Sequence, residues 1–283
     1  LSDGSTLLLH TATRIRAAKG RAVVVKLGGS AMEVPAATRG MLDAVAALHT
    51  LGLKLILVHG GGKPIDRAMD AAGLKPVKIQ GLRYTDDATL AIVARVLHEI
   101  NAGLADQLAT RGVSAVGLRD CVSGARLMLP GIDLRPVDLG RVGKVTEIEV
   151  ARFGENLERS CISIVPSLAL DEAGEWLNVN ADSVAAGIAR EIDTASVLFL
   201  TDTPGVLTDR TDPESRCSRL TVAECRALIA EGVIDGGMIP KVEACFEALE
   251  AGAARAVILD GRDTRSLLDD FLQPGSTGTE IVK

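Results

Sequence analysis

Three places in the chain combine side chains and backbone in a way that can bind and move an anionic group. Lys26 follows the apolar run Val23-Val24-Val25 and precedes Leu27-Gly28-Gly29-Ser30. A cation therefore stands at the end of a buried strand, and main-chain N–H groups follow with no Cβ to keep a ligand away. Asp182 ends the stretch Asn178-Val179-Asn180-Ala181-Asp182, in which either asparagine can cap a helix and the carboxylate lies in the first turn. A second asparagine two residues from the first is more than a cap needs. Lys241 ends Gly236-Gly237-Met238-Ile239-Pro240-Lys241. Pro240 marks a first helical turn, so this ammonium sits at the positive end of a helix dipole, disfavoured by roughly a few tenths of a kcal/mol or more. A local rule broken without local compensation points to function. Each place also has a plainer reading: a surface lysine after a Gly-Gly turn, a capping pair, and a solvated lysine.

Taken together, two lysines, an aspartate able to hold them and several glycine turns fit phosphoryl transfer to an acceptor that is already ionised. A carboxylate nucleophile needs no general base at neutral pH; it needs alignment and cancellation of charge on the migrating group. His10, His49, His59 and His98 have no ligand-like spacing and read as structural. No metal-ligating set, zinc site or hydrolase triad is suggested. The Walker pattern fails, because Gly62-Lys63 is followed by Pro64, and the dinucleotide pattern fails, because Ile65 stands where its third glycine belongs.

The elements that must position these groups read as alternating strands and helices. Ala22–Val25 is a strand buried on both faces, Ala36–Leu51 a helix closed by Gly52, and Leu53–Val58 a second strand running into His59-Gly60-Gly61-Gly62-Lys63-Pro64. Thr85-Asp86 caps a long helix that ends at Gly112, and a strand follows over Ser114–Leu118. From Ala125 to Val145 the turn signals Pro130-Gly131, Asp133, Gly140 and Gly143 predict antiparallel hairpins able to act as a lid. Further strands are expected at Cys161–Val165, Val197–Leu200, Arg255–Leu259 and Thr279–Val282. Helices are expected at Asn180–Glu191, Thr221–Glu231, Ile239–Ala251 and Thr264–Leu272. Ser5–Lys19 reads as either a disordered tail or an amphipathic helix docked on a partner. The predicted fold is α/β: a three-layer αβα sandwich with a mostly parallel open central sheet and a hairpin lid.

Composition narrows the partners. With 283 residues, 47% hydrophobic, the chain can bury a large core, and a net charge of -6 without a basic run argues against nucleic acid or an anionic membrane. Aromatic residues make up 2%, too few for a base-stacking surface. No apolar run is expected to span a membrane. Five scattered cysteines without CxxC spacing read as reduced thiols in a cytoplasmic setting, or in a plastid if a transit segment was removed ahead of residue 1.

Read in order, the motifs resemble the amino acid kinase family. They are Lys26-Leu27-Gly28-Gly29, His59-Gly60-Gly61-Gly62, Gly81-Leu82-Arg83-Tyr84-Thr85-Asp86, Gly140-Arg141-Val142-Gly143-Lys144-Val145, Asn178 to Asp182, Thr201-Asp202-Thr203-Pro204-Gly205-Val206, and Gly236 to Lys241. The Gly-Leu-Arg, Val-Gly-Lys-Val and Asn-Val-Asn-Ala-Asp elements are similar to the branch that makes an acyl phosphate on the side-chain carboxylate of N-acetyl-L-glutamate in arginine biosynthesis. The resemblance implies ATP as donor, with Mg2+ held largely by its phosphates and no protein ligand named. It implies that Lys26 and Lys241 bind the transferring phosphoryl from two sides, with Asp182 orienting both, and that Gly28, Gly29, Gly61 and Gly62 offer N–H donors. Arg83 would pair with the substrate α-carboxylate, Asn178 would bind the acetylamino acid and Asn180 would position the Asp182 turn. Thr201, Asp202, Gly205 and Val206 would line the nucleotide pocket.

The implied organisation is an N-terminal arm or helix over 1–20 as an oligomer contact, a substrate lobe over 21–176 and an ATP lobe over 177–283. The implied assembly is a homodimer or a hexamer built as a trimer of dimers. L-Arginine is a candidate feedback inhibitor acting near Asp270 and Gly278-Thr279, and a PII-type protein a candidate regulator. The tail departs from the family pattern at Asp270, where glutamate is commoner, and at Ser276, where glycine is. The competing readings are a kinase for acetylaminoadipate or a carrier-linked acid, and a silent arginine-binding regulatory homologue.

Overall fold

In the computed structural model residues 3–29, 32–130 and 136–283 are described; Ser30 and the turn signals Gly131 and Asp133 lie outside them. Helix α1 (Asp3–Ala17) leads into strand β1 (Ala22–Leu27), helix α2 (Pro35–Thr50), strand β2 (Lys54–His59) and helix α3 (Gly62–Ala71). A short hairpin, β3 (Lys78–Ile79) and β4 (Leu82–Arg83), precedes helix α4 (Asp87–Ala109). The Asp86 carboxylate caps α4 by accepting from the Thr89 N–H. Then come β5 (Ala115–Gly117), β6 (Val122–Pro130), β7 (Pro136–Ile148), helix α5 (Val150–Glu158), β8 (Ile162–Pro166), β9 (Leu168–Leu170) and β10 (Trp176–Val179). The chain finishes with α6 (Ala181–Glu191), β11 (Thr194–Thr201), β12 (Arg219–Thr221), α7 (Val222–Ala230), α8 (Ile239–Glu250), β13 (Arg255–Asp260), α9 (Ser266–Leu272) and β14 (Thr279–Val282).

Eight strands form one sheet in the order β12-β14-β13-β11-β1-β2-β8-β5. The strands from β13 to β5 run parallel, and β14 is antiparallel to β13. Strand β1 is central, with β2 on one flank and β11 on the other, so its carboxyl end lies where the order of strands reverses. In open α/β sheets that crevice is where ligands bind. Alternation of side chains along β1 sorts them between two layers. Val23, Val25 and Leu27 pack with Leu42 of α2, Leu104 of α4 and Phe271 of α9. Val24 packs in the opposite layer with Phe153 of α5, Val184 of α6 and Val242 of α8. Lys26 shares the parity of Val24 and so faces the layer that contains α6 and α8.

Three expectations are revised. The antiparallel segment begins at Val122 and is one long hairpin, β6–β7, which closes with β9 and β10 into a four-stranded barrel instead of standing free. A lobe boundary at 176/177 would cut β10, which pairs with both β9 and β7 and belongs with the barrel. Helix α4 is long and apolar enough to cross a membrane by length and composition alone, contrary to the reading from apolar runs. It is a core helix instead: Val93, Leu97, Leu104 and Leu108 are buried, while Arg95 and Glu99 pair on its outer side at 2.9 Å. Helix α1 is ordered against the body, where Arg14 Nη2 reaches Glu280 Oε2 at 3.0 Å.

Candidate active site

The parallel register aligns the carboxyl ends of three strands: Leu27 of β1 pairs with His59 of β2 on one side and Leu200 of β11 on the other. Lys26 is one residue from that end, the Gly60–Gly62 turn follows β2, and Thr201 ends β11. Helix α6 starts over the same place. Its N-cap is Asn180, whose Oδ1 accepts from the Asp182 N–H at 2.8 Å, and this fixes the turn that carries the Asp182 carboxylate.

Asp182 holds both lysines. Lys26 Nζ lies 2.7 Å from Oδ1 and Lys241 Nζ 3.6 Å from Oδ2. The Lys26 and Asp182 side chains are only 9% and 6% exposed, against 21% for Lys241. Burial pushes the Asp182 carboxyl upward, but the two ammonium charges outweigh it and hold the pKa below the usual carboxylate value. Lys241 also donates to the Gly237 carbonyl at 3.3 Å, so its position in the first turn of α8 is compensated by Asp182 across the layer and by this carbonyl.

Two spaces flank the bridge. A cavity of about 470 Å3 is lined by Thr201, Asp202, Gly205, Val206, Gly237 and Lys241, among others. Its loop is pinned from below: the Thr279 hydroxyl accepts from the Val206 N–H at 2.8 Å, and a Cβ at Gly205, whose φ is +138°, would come 2.5 Å from that hydroxyl. On the opposite flank, helix α3 begins at Gly62 with Gly61 as an N-cap that makes no side-chain cap bond, which leaves first-turn N–H groups open to an anion. Arg83 lies beside this turn, ion-paired with Asp66 and donating to the Gly62 carbonyl at 3.4 Å. Asn178 Nδ2 donates to Thr85 Oγ1 at 3.1 Å, and Thr85 Oγ1 to the Arg83 carbonyl at 2.9 Å. Asn178 and Arg83 are thus tied to one another through a buried threonine.

A profile of the amino acid kinase family matches residues 21–260. The chain belongs to the amino acid kinase family. The acetylglutamate kinase of Methanosphaera stadtmanae is 36% identical over 99% of this chain and 97% of its own length. The acetylglutamate kinase of Synechococcus elongatus is 38% identical over 93% of this chain and 87% of its own. Among solved structures, an N-acetylglutamate synthase from Neisseria gonorrhoeae, complexed with coenzyme A and N-acetyl-glutamate, superposes with a TM-score of 0.84 at 23% identity. That match covers 98% of this chain and 63% of the synthase, and it speaks for the fold.

Within this amino acid kinase the expected residues are divided by what their atoms already do. Lys26, Asp182, Lys241 and Asn180 meet at one point. Gly61, Gly62, Arg83 and Asn178 gather on the α3 side, and Thr201, Asp202, Gly205 and Val206 line the cavity on the α8 side. Gly28 departs from its expected use: its N–H donates to the Leu200 carbonyl at 2.9 Å, and a Cβ there would sit 2.4 Å from the same oxygen. Glycine is needed at 28 so that β1 and β11 can approach, and that donor is not open to a phosphate. Asp270 is buried in a two-pronged pair with Arg255. Thr85 was missed, because a buried threonine before a capping aspartate has no signal of its own in sequence. Thr203, within the Thr201–Val206 segment, adds a buried hydroxyl beside the cavity that has no hydrogen-bond partner among the described residues.

Proposed function

We propose that this chain transfers the γ-phosphoryl group of ATP to the side-chain carboxylate of N-acetyl-L-glutamate, giving an acyl phosphate. The observation that carries this reading is the Asp182 bridge between Lys26 and Lys241, set between an anion-ready glycine turn and a cavity that Lys241 also lines. ATP occupies the 470 Å3 cavity in this reading, with the Thr203 hydroxyl and the Thr201–Val206 loop beside it. Mg2+ enters as part of the nucleotide; among the described residues no group of three His, Cys, Asp or Glu converges to hold a resident ion.

The acceptor carboxylate is ionised at neutral pH and attacks in line; the bond between the γ-phosphorus of ATP and its β,γ-bridging oxygen breaks as the new bond forms, and ADP leaves with that oxygen. Lys26 and Lys241 neutralise the equatorial oxygens during transfer, and Asp182 keeps both ammonium groups on the line of flight. The open N–H groups of Gly61 and Gly62 receive the acceptor. Arg83 takes the α-carboxylate in its fork by giving up part of its contact with Asp66, and Asn178 orients the acetylamino group.

A carrier-linked acid would call for a cationic approach. The cleft of about 790 Å3 beside Asn180 carries Lys144 and Arg190, but equally Glu247 and Glu250, so its charge favours a small free acid. Helix α1 is the oligomer contact in this proposal: Leu8 and Leu9 are 70% and 53% exposed, an apolar pair suited to burial in a homodimer or hexamer. L-Arginine as inhibitor and a PII-type protein as regulator belong to the same reading. Purified chain supplied with MgATP and N-acetyl-L-glutamate should yield a hydroxylamine-trappable acyl phosphate. Turnover of acetylaminoadipate in its place would transfer the proposal to that acid, and repetition with arginine and with mass measurement in solution tests the remainder.

A further inference from the structure

Gly60, Gly61 and Gly62 let the backbone approach a ligand, but glycines hold no peptide plane in a chosen direction, since φ and ψ on either side are permissive. Something else must orient them. His59, the last residue of β2, is fully buried, and both ring nitrogens are engaged: Nδ1 lies 3.2 Å from the Gly60 carbonyl and Nε2 3.1 Å from Asn101 Nδ2. Asn101 Nδ2 also donates to the Ile164 carbonyl at 3.0 Å. That second bond fixes which end of the amide is nitrogen, because the flipped amide would set its oxygen against a carbonyl. Facing a donor, Nε2 must accept, so Nδ1 carries the proton and donates to the Gly60 oxygen. Asn101 fits this place only because residue 117 is glycine: a Cβ there would lie 1.9 Å from Asn101 Oδ1. Burial also keeps the ring neutral, with its pKa lowered to about 4.

The Gly60 carbonyl and the Gly61 N–H belong to one planar trans peptide and point in opposite directions. We propose that His59 is a positioning residue: by holding the Gly60 oxygen toward the core with its Nδ1–H, it aims the Gly61 N–H at the acceptor carboxylate. The inference rests on the reading of Gly61 and Gly62 as acceptor-binding. It adds a chain from Ile164 through Asn101 and His59 to the turn, which makes the rigid β2–β8 part of the sheet the reference for substrate placement.

The test separates the two ring nitrogens. In His59→Asn the amide nitrogen stands near the Nδ1 position and restores a donor to Gly60. In His59→Gln the amide stands near Nε2, keeping contact with Asn101 and leaving Gly60 unheld. With MgATP and N-acetyl-L-glutamate, His59→Gln should raise KM for the acid about tenfold while KM for ATP stays within twofold, and His59→Asn should recover most of that loss. An equal change in both variants, or a change in KM for ATP as large as that for the acid, would overturn the proposal. Ring-nitrogen NMR of the unmutated protein without substrate tests it independently of variant folding. The Nδ1–H tautomer is the expected result, and the Nε2–H tautomer would overturn it. Failure of the wild type to phosphorylate the acid counts against the substrate reading and leaves the tautomer measurement standing.

Discussion

Two buried aspartates, Asp182 and Asp270, are each paired with cationic side chains, two lysines for the first and one arginine for the second, and the two clusters are built to different ends. Asp270 receives both prongs of Arg255; Arg255 also reaches Glu280 at 3.1 Å, and Glu280 is met by Arg14 of α1 at 3.0 Å. The Arg255 guanidinium lies 5.7 Å over the Phe271 ring, and both of its terminal nitrogens donate to carboxylates. Burial pushes the Glu280 carboxyl upward, but Arg255 and Arg14 prevail and hold it below its usual pKa. Asp182, by contrast, is met by two ammonium groups of three donors each. One of these stands off at 3.6 Å and is partly exposed beside a cavity. A closed fork is complete without a ligand. Two lysines on one carboxylate leave donors free, and a transferring phosphoryl can claim them.

The largest effects should separate the clusters by what they damage. Lys241→Ala should lower kcat by roughly 10²–10³-fold, the usual cost of removing one preorganised charge from a transition state, with little change in Tm. Lys26→Ala should cost as much in kcat and also lower Tm, because it leaves a buried carboxylate with a more distant partner. Turnover near wild type in either variant would remove the distinction. Asp270→Ala should do the reverse, destabilising by about 3 kcal/mol because Arg255 is left buried with one partner fewer, while kcat per folded molecule is retained. Thermal melts beside initial rates would read both sides of the contrast.

Acid sharpens the comparison further. His59 is neutral in the folded chain with its pKa lowered to about 4 from 6.5. The unfolded chain takes up a proton first as pH falls, so its contribution to stability is complete above pH 6.5 and is lost between pH 6.5 and 4, amounting to roughly 3 kcal/mol. Urea midpoints should show this slope in the wild type and lose it in His59→Asn. Asp182, whose pKa is lowered, adds stability that is present above the ordinary carboxylate range and disappears only at more acidic pH, so the bridge stays charged throughout this window. The smallest effect is expected at the edge of the closed cluster: Arg14→Ala should cost about 1 kcal/mol or less, since Glu280 keeps Arg255. A change in solution mass with that variant would tie α1 to assembly, whereas an unchanged mass would show that the Arg14–Glu280 contact has no part in it.

Much of this arrangement was legible because it is local. β-Branched runs followed by glycine mark β1 and β2, Asn180 and Asp86 cap the helices they precede, and Lys241 drew attention by violating the helix-dipole preference. The barrel was not legible, since β9 is three residues long and earns its place only by pairing with β6 and β10. Nor was the length of α4 a guide to its setting: alanines on its outer side raise its hydropathy without making that side seek lipid.

The residue string by itself determined which groups can carry charge, where strands end in glycine, and that no histidine is spaced as a base or ligand, because side-chain chemistry and backbone permissiveness are properties of single residues. Only the tertiary structure decided that Asp182 would reach Lys26 and Lys241 together, that the Gly28 donor would be taken by β11, that Asp270 would close on Arg255, and that His59 would hold the glycine turn. Those outcomes depend on which atoms meet across a sheet, and distances between residues far apart in sequence are set by packing and register.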